Sequence, residues 1–213
     1  MQIALNGQDW CEGLGVVSAP FSSTKRALEF FFGEAPGGIA RPMMSRLAAP
    51  AVGAGSGLSG VDGAHQAGRI GQKLVACGPL YEAVLTVQFA PERMPCSCGN
   101  RCCSGFELNR RRQEALDYVS QAALVPLAGC VSHYRLRRGL VERAFGRDVT
   151  LSELVDLCNV SRGLASDHNA KIVAWLKGVR KGVGKPMTVG VIDLAFQAVD
   201  ERLRAAGIVG VRF

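Results

Sequence analysis

Four thiols crowd into eight residues at Cys96, Cys98, Cys102 and Cys103, within the run CSCGNRCCSG. Thiolate sulfurs are the soft ligands that zinc gathers four at a time in a tetrahedron, with bonds of about 2.3 Å. A Gly-Asn pair at the centre of the run supplies the tight turn such a knuckle needs. The spacing is C-x-C-x3-C-C, and adjacent cysteines seldom both reach one ion. Three ligands from this loop and a fourth from beyond the next helix make the easier arrangement, with Cys130 or His133 as that fourth. Zinc in a structural role is therefore the expected cofactor, and redox-active or unpaired thiols are the alternative. Cys11, Cys77 and Cys158 sit in apolar helical settings and read as core residues.

A second group of polar residues shares a geometry in TLSELVDLCNVSRGLASDHNAKIVAWLKG, from Thr150 to Gly178. Thr150 followed by Glu153 is a capping box, so a helix begins at Leu151. Leu151, Leu154, Val155 and Cys158 recur at helical spacing, and Asn159 then tolerates the left-handed turn better than any residue but glycine. Val160 can plug the corner, and Ser161 is a second N-cap, so a new helix starts at once and must cross the first steeply. This is the pattern of a helix-turn-helix. Leu164, His168, Ile172, Trp175 and Leu176 form its inner stripe. Ser161, Arg162, Ser166, Asn169 and Lys171 are the expected DNA contacts, Arg162 suited to guanine and Asn169 to adenine. His168 reads as a packed or phosphate-contacting residue, with no partner beside it for catalysis. A helical hairpin without any DNA role is the competing reading.

The elements that position these groups are mostly helices. Apolar periodicity predicts helices over Ile3 to Leu14, Ser23 to Phe32 (capped at Ser22 or Ser23), Asp62 to Ala76, Leu80 to Phe89, Glu107 to Leu124, His133 to Phe145 and Thr188 to Ala206. Gly33 to Gly60, rich in Gly, Pro, Ala and Ser, reads as a linker. Strand-like alternation is nearly absent, so the expected fold is mainly α: a helical bundle with a cysteine-rich loop and a late helix-turn-helix. The chain divides into an N-terminal helical segment and linker (1–60), a helical region with the cysteine cluster (61–148), the helix-turn-helix (149–185) and a C-terminal helix (186–213).

Hydrophobic residues make up 48% and charged residues 20% of the 213, a globular balance, and no apolar run approaches the roughly 20 residues of a membrane span. With no basic and then apolar start, a cytoplasmic protein with reduced thiols and no membrane partner is expected. The net charge of +7 is local. Up to Ala90 there are six Lys/Arg and six Asp/Glu, from Pro91 to Lys185 sixteen against nine, and beyond that three against three. Such an excess suits phosphate contacts. Catalysis finds no support: GVRKGVGKP has Val179 where a phosphate loop needs glycine and Pro186 where it needs Ser or Thr, and no paired carboxylates stand at a useful spacing. No enzyme is expected.

Taken together, RCCSG, LAGCVSHYRLRRGLVERAFG and the late helix-turn-helix resemble phage Q-type late antitermination proteins and related prophage lysis regulators over roughly residues 60 to 180. The helix-turn-helix is also similar to the promoter-reading part of bacterial sigma factors. The resemblance implies double-stranded promoter DNA, RNA polymerase and its sigma factor as partners, nascent RNA as a further one, and read-through of terminators as the output. It gives Ser161, Arg162, Ser166 and Asn169 to DNA and makes the cysteine loop a zinc-stabilised element. Two other functions fit the residues: an operator-bound activator or repressor, and a zinc-stabilised RNA-binding or protein-interaction adaptor.

Overall fold

The computed structural model describes residues 19–38, 60–96, 98, 104–179 and 188–210. Within them the expectation of a mainly α fold holds. The order is α1 (Thr24–Gly38), α2 (Gly60–Val75), α3 (Pro79–Phe89), strands β1 (Arg93–Pro95) and β2 (Phe106–Leu108), α4 (Arg110–Ala122), α5 (Tyr134–Ala144), α6 (Leu151–Cys158), α7 (Arg162–Lys177), strands β3 (Gly178–Val179) and β4 (Thr188–Val189), and α8 (Val191–Ala205). No helix among the described residues is long and apolar enough to cross a membrane.

Helix α3 is central because five consecutive residues, Ala83 to Val87, are all buried. At 3.6 residues per turn such a run covers every side of the helix, which leaves none for solvent. Its heaviest packing is against α4 and α8. Thr86, the one polar residue of the run, donates its hydroxyl to the Glu82 carbonyl at 2.8 Å and so enters the core satisfied. Helices α1 and α2 pair alongside, and Phe21 joins α1 to the end of α8 through a parallel bridge with Val209. Arg111 of α4 lies over the rings of Phe31 and Phe32, 5.2 and 5.5 Å from their centroids, and pairs with Glu82 at 3.3 Å. That cation is spent on holding α1, α3 and α4 together.

Three expectations change. Helix α1 runs on to Gly38, six residues into the stretch read as linker, whereas the predicted helix over Ile3 to Leu14 lies outside the described residues. The helix expected from Glu107 starts only at Arg110, because Glu107 and Leu108 pair with Met94 and Arg93 in an antiparallel hairpin. Buried Asn109 makes that switch: its side chain accepts from the Arg112 amide at 3.2 Å and donates to the Pro91 carbonyl at 3.0 Å, capping α4 while tying down the hairpin base. Leu108, expected within that helix, is 59% exposed in the hairpin. The last helix likewise starts at Val191, with Thr188 and Val189 paired to Val179 and Gly178.

Candidate nucleic-acid interface

Helices α5, α6 and α7 pack on one another in a three-helix unit. Gly139 of α5 makes the notch that admits α6, since a Cβ there would stand 2.4 Å from a methyl of Leu154. The local chemistry read from the sequence forms the expected bonds. The Thr150 hydroxyl accepts from the Glu153 amide at 3.2 Å, and the Glu153 carboxylate accepts from the Thr150 amide at 2.7 Å. The second of these bonds leads in holding the Glu153 carboxyl below its ordinary pKa. Asn159 adopts φ 50°, ψ 51°, the one non-glycine residue with positive φ among the described residues. Ser161 then caps α7 by accepting from the Leu164 amide at 3.3 Å.

Ala165, His168, Ile172 and Leu176 bury one side of α7, flanked by half-buried Leu164 and Trp175. Ser161, Arg162 and Ser166 are exposed and Asn169 is half-buried. At 100° per residue Arg162, Ser166 and Asn169 fall within about 60° of one another, so the helix brings them together on one side. Lys171 departs from this group. It lies nine residues after Arg162 and therefore half a turn away, and its Nζ donates to Cys130 Sγ at 3.1 Å. That bond is the main reason the Lys171 pKa stands above its ordinary value.

One residue of this surface has no signal in the local pattern. Arg143 of α5 donates through Nη1 to Asn169 Oδ1 at 2.9 Å, across 26 residues of chain. Other cations of the basic segment are taken up internally. Arg137 is buried and donates to the Ser120 carbonyl at 2.6 Å and to Ser132 Oγ at 2.8 Å. Arg138 pairs with Asp117 and Glu142, and Arg147 with Glu142. Arg93, Arg135, Arg162 and Lys177 stay exposed with no ion pair among the described residues. Exposed cations of this kind are what phosphate contacts need.

His168 is packed, only 1% exposed, and neither ring nitrogen has a hydrogen-bond partner. A phosphate contact is therefore out of its reach. Burial lowers its pKa, with Lys171 and Arg137 acting in the same direction and Asp167 against them. The charged form is then favoured by unfolding, so stability is complete above the ordinary value of about 6.5 and falls as pH drops through the lower folded value. His168→Leu is expected to remove this acid limb and to add about 1–3 kcal/mol by eliminating unsatisfied nitrogens. Urea unfolding of both proteins at pH 5 and pH 8 measures it, and an unchanged pH dependence in the variant would contradict the assignment.

The cysteine run falls in the sequence between β1 and β2, and Cys96, Cys98, Ser104 and Gly105 are its described residues. Cys96 donates its amide to the Gly105 carbonyl at 2.9 Å, and the Cys98 amide donates to Cys96 Sγ at 3.5 Å. An amide turned onto a sulfur suits a thiolate ligand, and the hairpin keeps the ends of the run adjacent. Cys102 and Cys103 lie outside the described residues, among which no three His, Cys, Asp or Glu side chains come together as a metal site. Cys130, the expected fourth ligand, faces Lys171, and its alternative His133 is the exposed N-cap of α5. Cys77 and Cys158 are half-buried against the core as expected, whereas Cys11 lies outside the described residues.

Comparison of the chain with family models, with curated proteins and with solved structures returns no match.

Proposed function

We propose that this protein is a sequence-specific DNA-binding transcription regulator, with Thr150 to Gly178 as its helix-turn-helix and α7 as the recognition helix. The observation that carries this reading is the junction of α6 and α7. Left-handed Asn159 and the Ser161 cap redirect the chain within three residues, while the buried stripe anchors α7 by one side and leaves Arg162, Ser166 and Asn169 on another. The antiparallel β3–β4 pair directly after α7 supports it too, because three packed helices followed by a hairpin are the layout of a winged helix-turn-helix.

Base preference follows from the donors on offer. Arg162 supplies a free guanidinium. Asn169 would need both its carbonyl and its amide for adenine, yet Arg143 already holds the carbonyl, so the Arg143–Asn169 pair presents mainly donors. Donors match the O6 and N7 acceptors of guanine. Arg162→Ala is expected to weaken binding to the cognate promoter roughly ten- to a hundredfold and to relax the preference for guanine at the position it reads. Gel-shift titrations on the cognate promoter and on promoters with single guanines replaced measure both, and equal affinity of the two proteins would overturn the recognition-helix assignment.

The resemblance to Q-type antiterminators extends the proposal: the protein loads at a promoter-proximal RNA polymerase holding its sigma factor and carries it through terminators. Transcription in vitro past a downstream terminator is the measure. Unchanged read-through with DNA binding intact would leave an operator-bound regulator as the function. We also assign a structural zinc ion to the hairpin tip, with Cys96 and Cys98 as two of its ligands, supported by the amide turned onto Cys96 Sγ. Metal content of the purified protein tests that assignment.

A further inference from the structure

The β1–β2 hairpin keeps one face in the open. Its register pairs Arg93 with Leu108 and Pro95 with Phe106, and cross-strand partners point to the same side of a ribbon. These four side chains therefore share a face. All four residues are exposed, Phe106 and Leu108 at 59% each. Met94 and Glu107, also partners, take the opposite face. Phe106 and Leu108 are two residues apart and so stand about 7 Å from one another along the strand. An aromatic ring, a proline and a leucine make an apolar floor with a cation beside it.

The free charges near this floor are mostly positive. Arg93 has no ion pair among the described residues. Leu108 also lines a cleft of about 370 Å³, shared with Glu92, Arg112, Arg138, Glu142 and Arg147. Arg138 and Arg147 are neutralised there by Asp117 and Glu142 and offer no free charge. Arg112 and Glu92 have no ion pair among the described residues, and Glu92 is exposed. Two open guanidiniums and one open carboxylate thus border the apolar floor.

We propose that this face binds single-stranded RNA. An aromatic side chain stacks on any unpaired base, whereas a duplex keeps its bases stacked on each other. Phe106 is the stacking residue, Leu108 and Pro95 extend the floor, and Arg93 and Arg112 meet phosphates. A carboxylate repels a phosphate backbone, but as an acceptor it takes the ribose 2′-hydroxyl, a donor that deoxyribose lacks. Glu92 therefore favours RNA over single-stranded DNA. An apolar face alone would serve a protein partner equally, and the open arginines beside it are what match a polyanion. The face lies outside the helix-turn-helix, so it stands whether or not α7 reads DNA.

Fluorescence anisotropy of the full chain with a labelled oligouridine, and with an oligodeoxyuridine of equal length, tests the site. The parent is expected to bind the RNA more tightly. Phe106→Ala should weaken RNA binding roughly five- to a hundredfold, the range for losing one base stacked on an aromatic ring. Arg93→Ala should weaken it too and lower the slope of log affinity against log salt by about 0.7, as for one phosphate contact on a single strand. Glu92→Ala should bring the two oligonucleotides to equal affinity, and Arg162→Ala should bind RNA as the parent does. Phe106, Arg93 and Glu92 are exposed, so helical circular dichroism should stay unchanged. No binding by the parent would overturn the proposal and leave the face to a protein. Equal affinity of the parent for RNA and DNA would overturn the choice of RNA. RNA binding that ignores Phe106→Ala and Arg93→Ala, or that is lost with Arg162→Ala, would overturn it by seating the RNA elsewhere.

Discussion

Gly190→Ala is expected to remove about 3 kcal/mol of stability, the upper end of what overpacking costs. A Cβ at Gly190 would stand 2.3 Å from the Leu176 carbonyl oxygen, 2.4 Å from the Lys177 carbonyl carbon and 2.5 Å from the Gly178 nitrogen. All three are backbone atoms, so no side chain can swing aside to make room. The same crossing uses Gly178, whose φ is 75° and whose added Cβ would lie 2.2 Å from the Thr188 carbonyl oxygen. Here β3 and β4 pair at the end of α7 and α8 begins, with Gly190 as its N-cap. One methyl group must therefore open the hairpin or lift α8 from α7. Against a total of roughly 5–15 kcal/mol for a native protein, such a loss is large. Urea unfolding should show a clearly lower midpoint, and a loss under about 1 kcal/mol would mean that the crossing is looser than it looks.

Leu154→Ala is expected to cost about 2–5 kcal/mol, the range for truncating a buried leucine. Helix α6 has eight residues and a single buried one, Leu154, seated against Gly139. Leu151, Val155 and Cys158 are only half-buried, so little else holds the helix down. Removing the anchor should free α6 from α5 and disorder the turn that aims α7. Leu157→Ala is the control: Leu157 is 72% exposed, and its truncation should stay within about 0.5 kcal/mol. If the proposed recognition helix is correct, Leu154→Ala should also weaken promoter binding while Leu157→Ala leaves it unchanged. Equal stability of the two variants would show that α6 is held by something other than this notch.

Much of the proposed interface was legible because its parts are local. A capping box, a left-handed Asn159 and the Ser161 cap each involve residues within a few positions of one another, so their chemistry survives in the linear order. The inner stripe of α7 was legible for the same reason, by its period, although the sequence pointed to Leu164 and Trp175 as fully facing inward and both proved only half-buried. The short strands escaped notice. Two or three residues cannot display a period of two, and Glu107 and Leu108 continue a helical pattern that only the Asn109 cap interrupts.

The sequence alone therefore determined the mainly α class, the break at Asn159, and which face of α7 turns inward, because each follows from propensity, capping and periodicity within one stretch of chain. Tertiary structure decided which cations remain outside. Arg111 is drawn over two phenylalanines, Arg137 is buried against α4, and Arg143 is brought to Asn169, while Arg162 is left open. A charge count cannot separate these, since a side chain's partner is set by how helices pack across many residues of sequence. The same packing turned Lys171, expected among the DNA contacts, onto Cys130, and it left beside α8 an apolar groove that no single segment encodes.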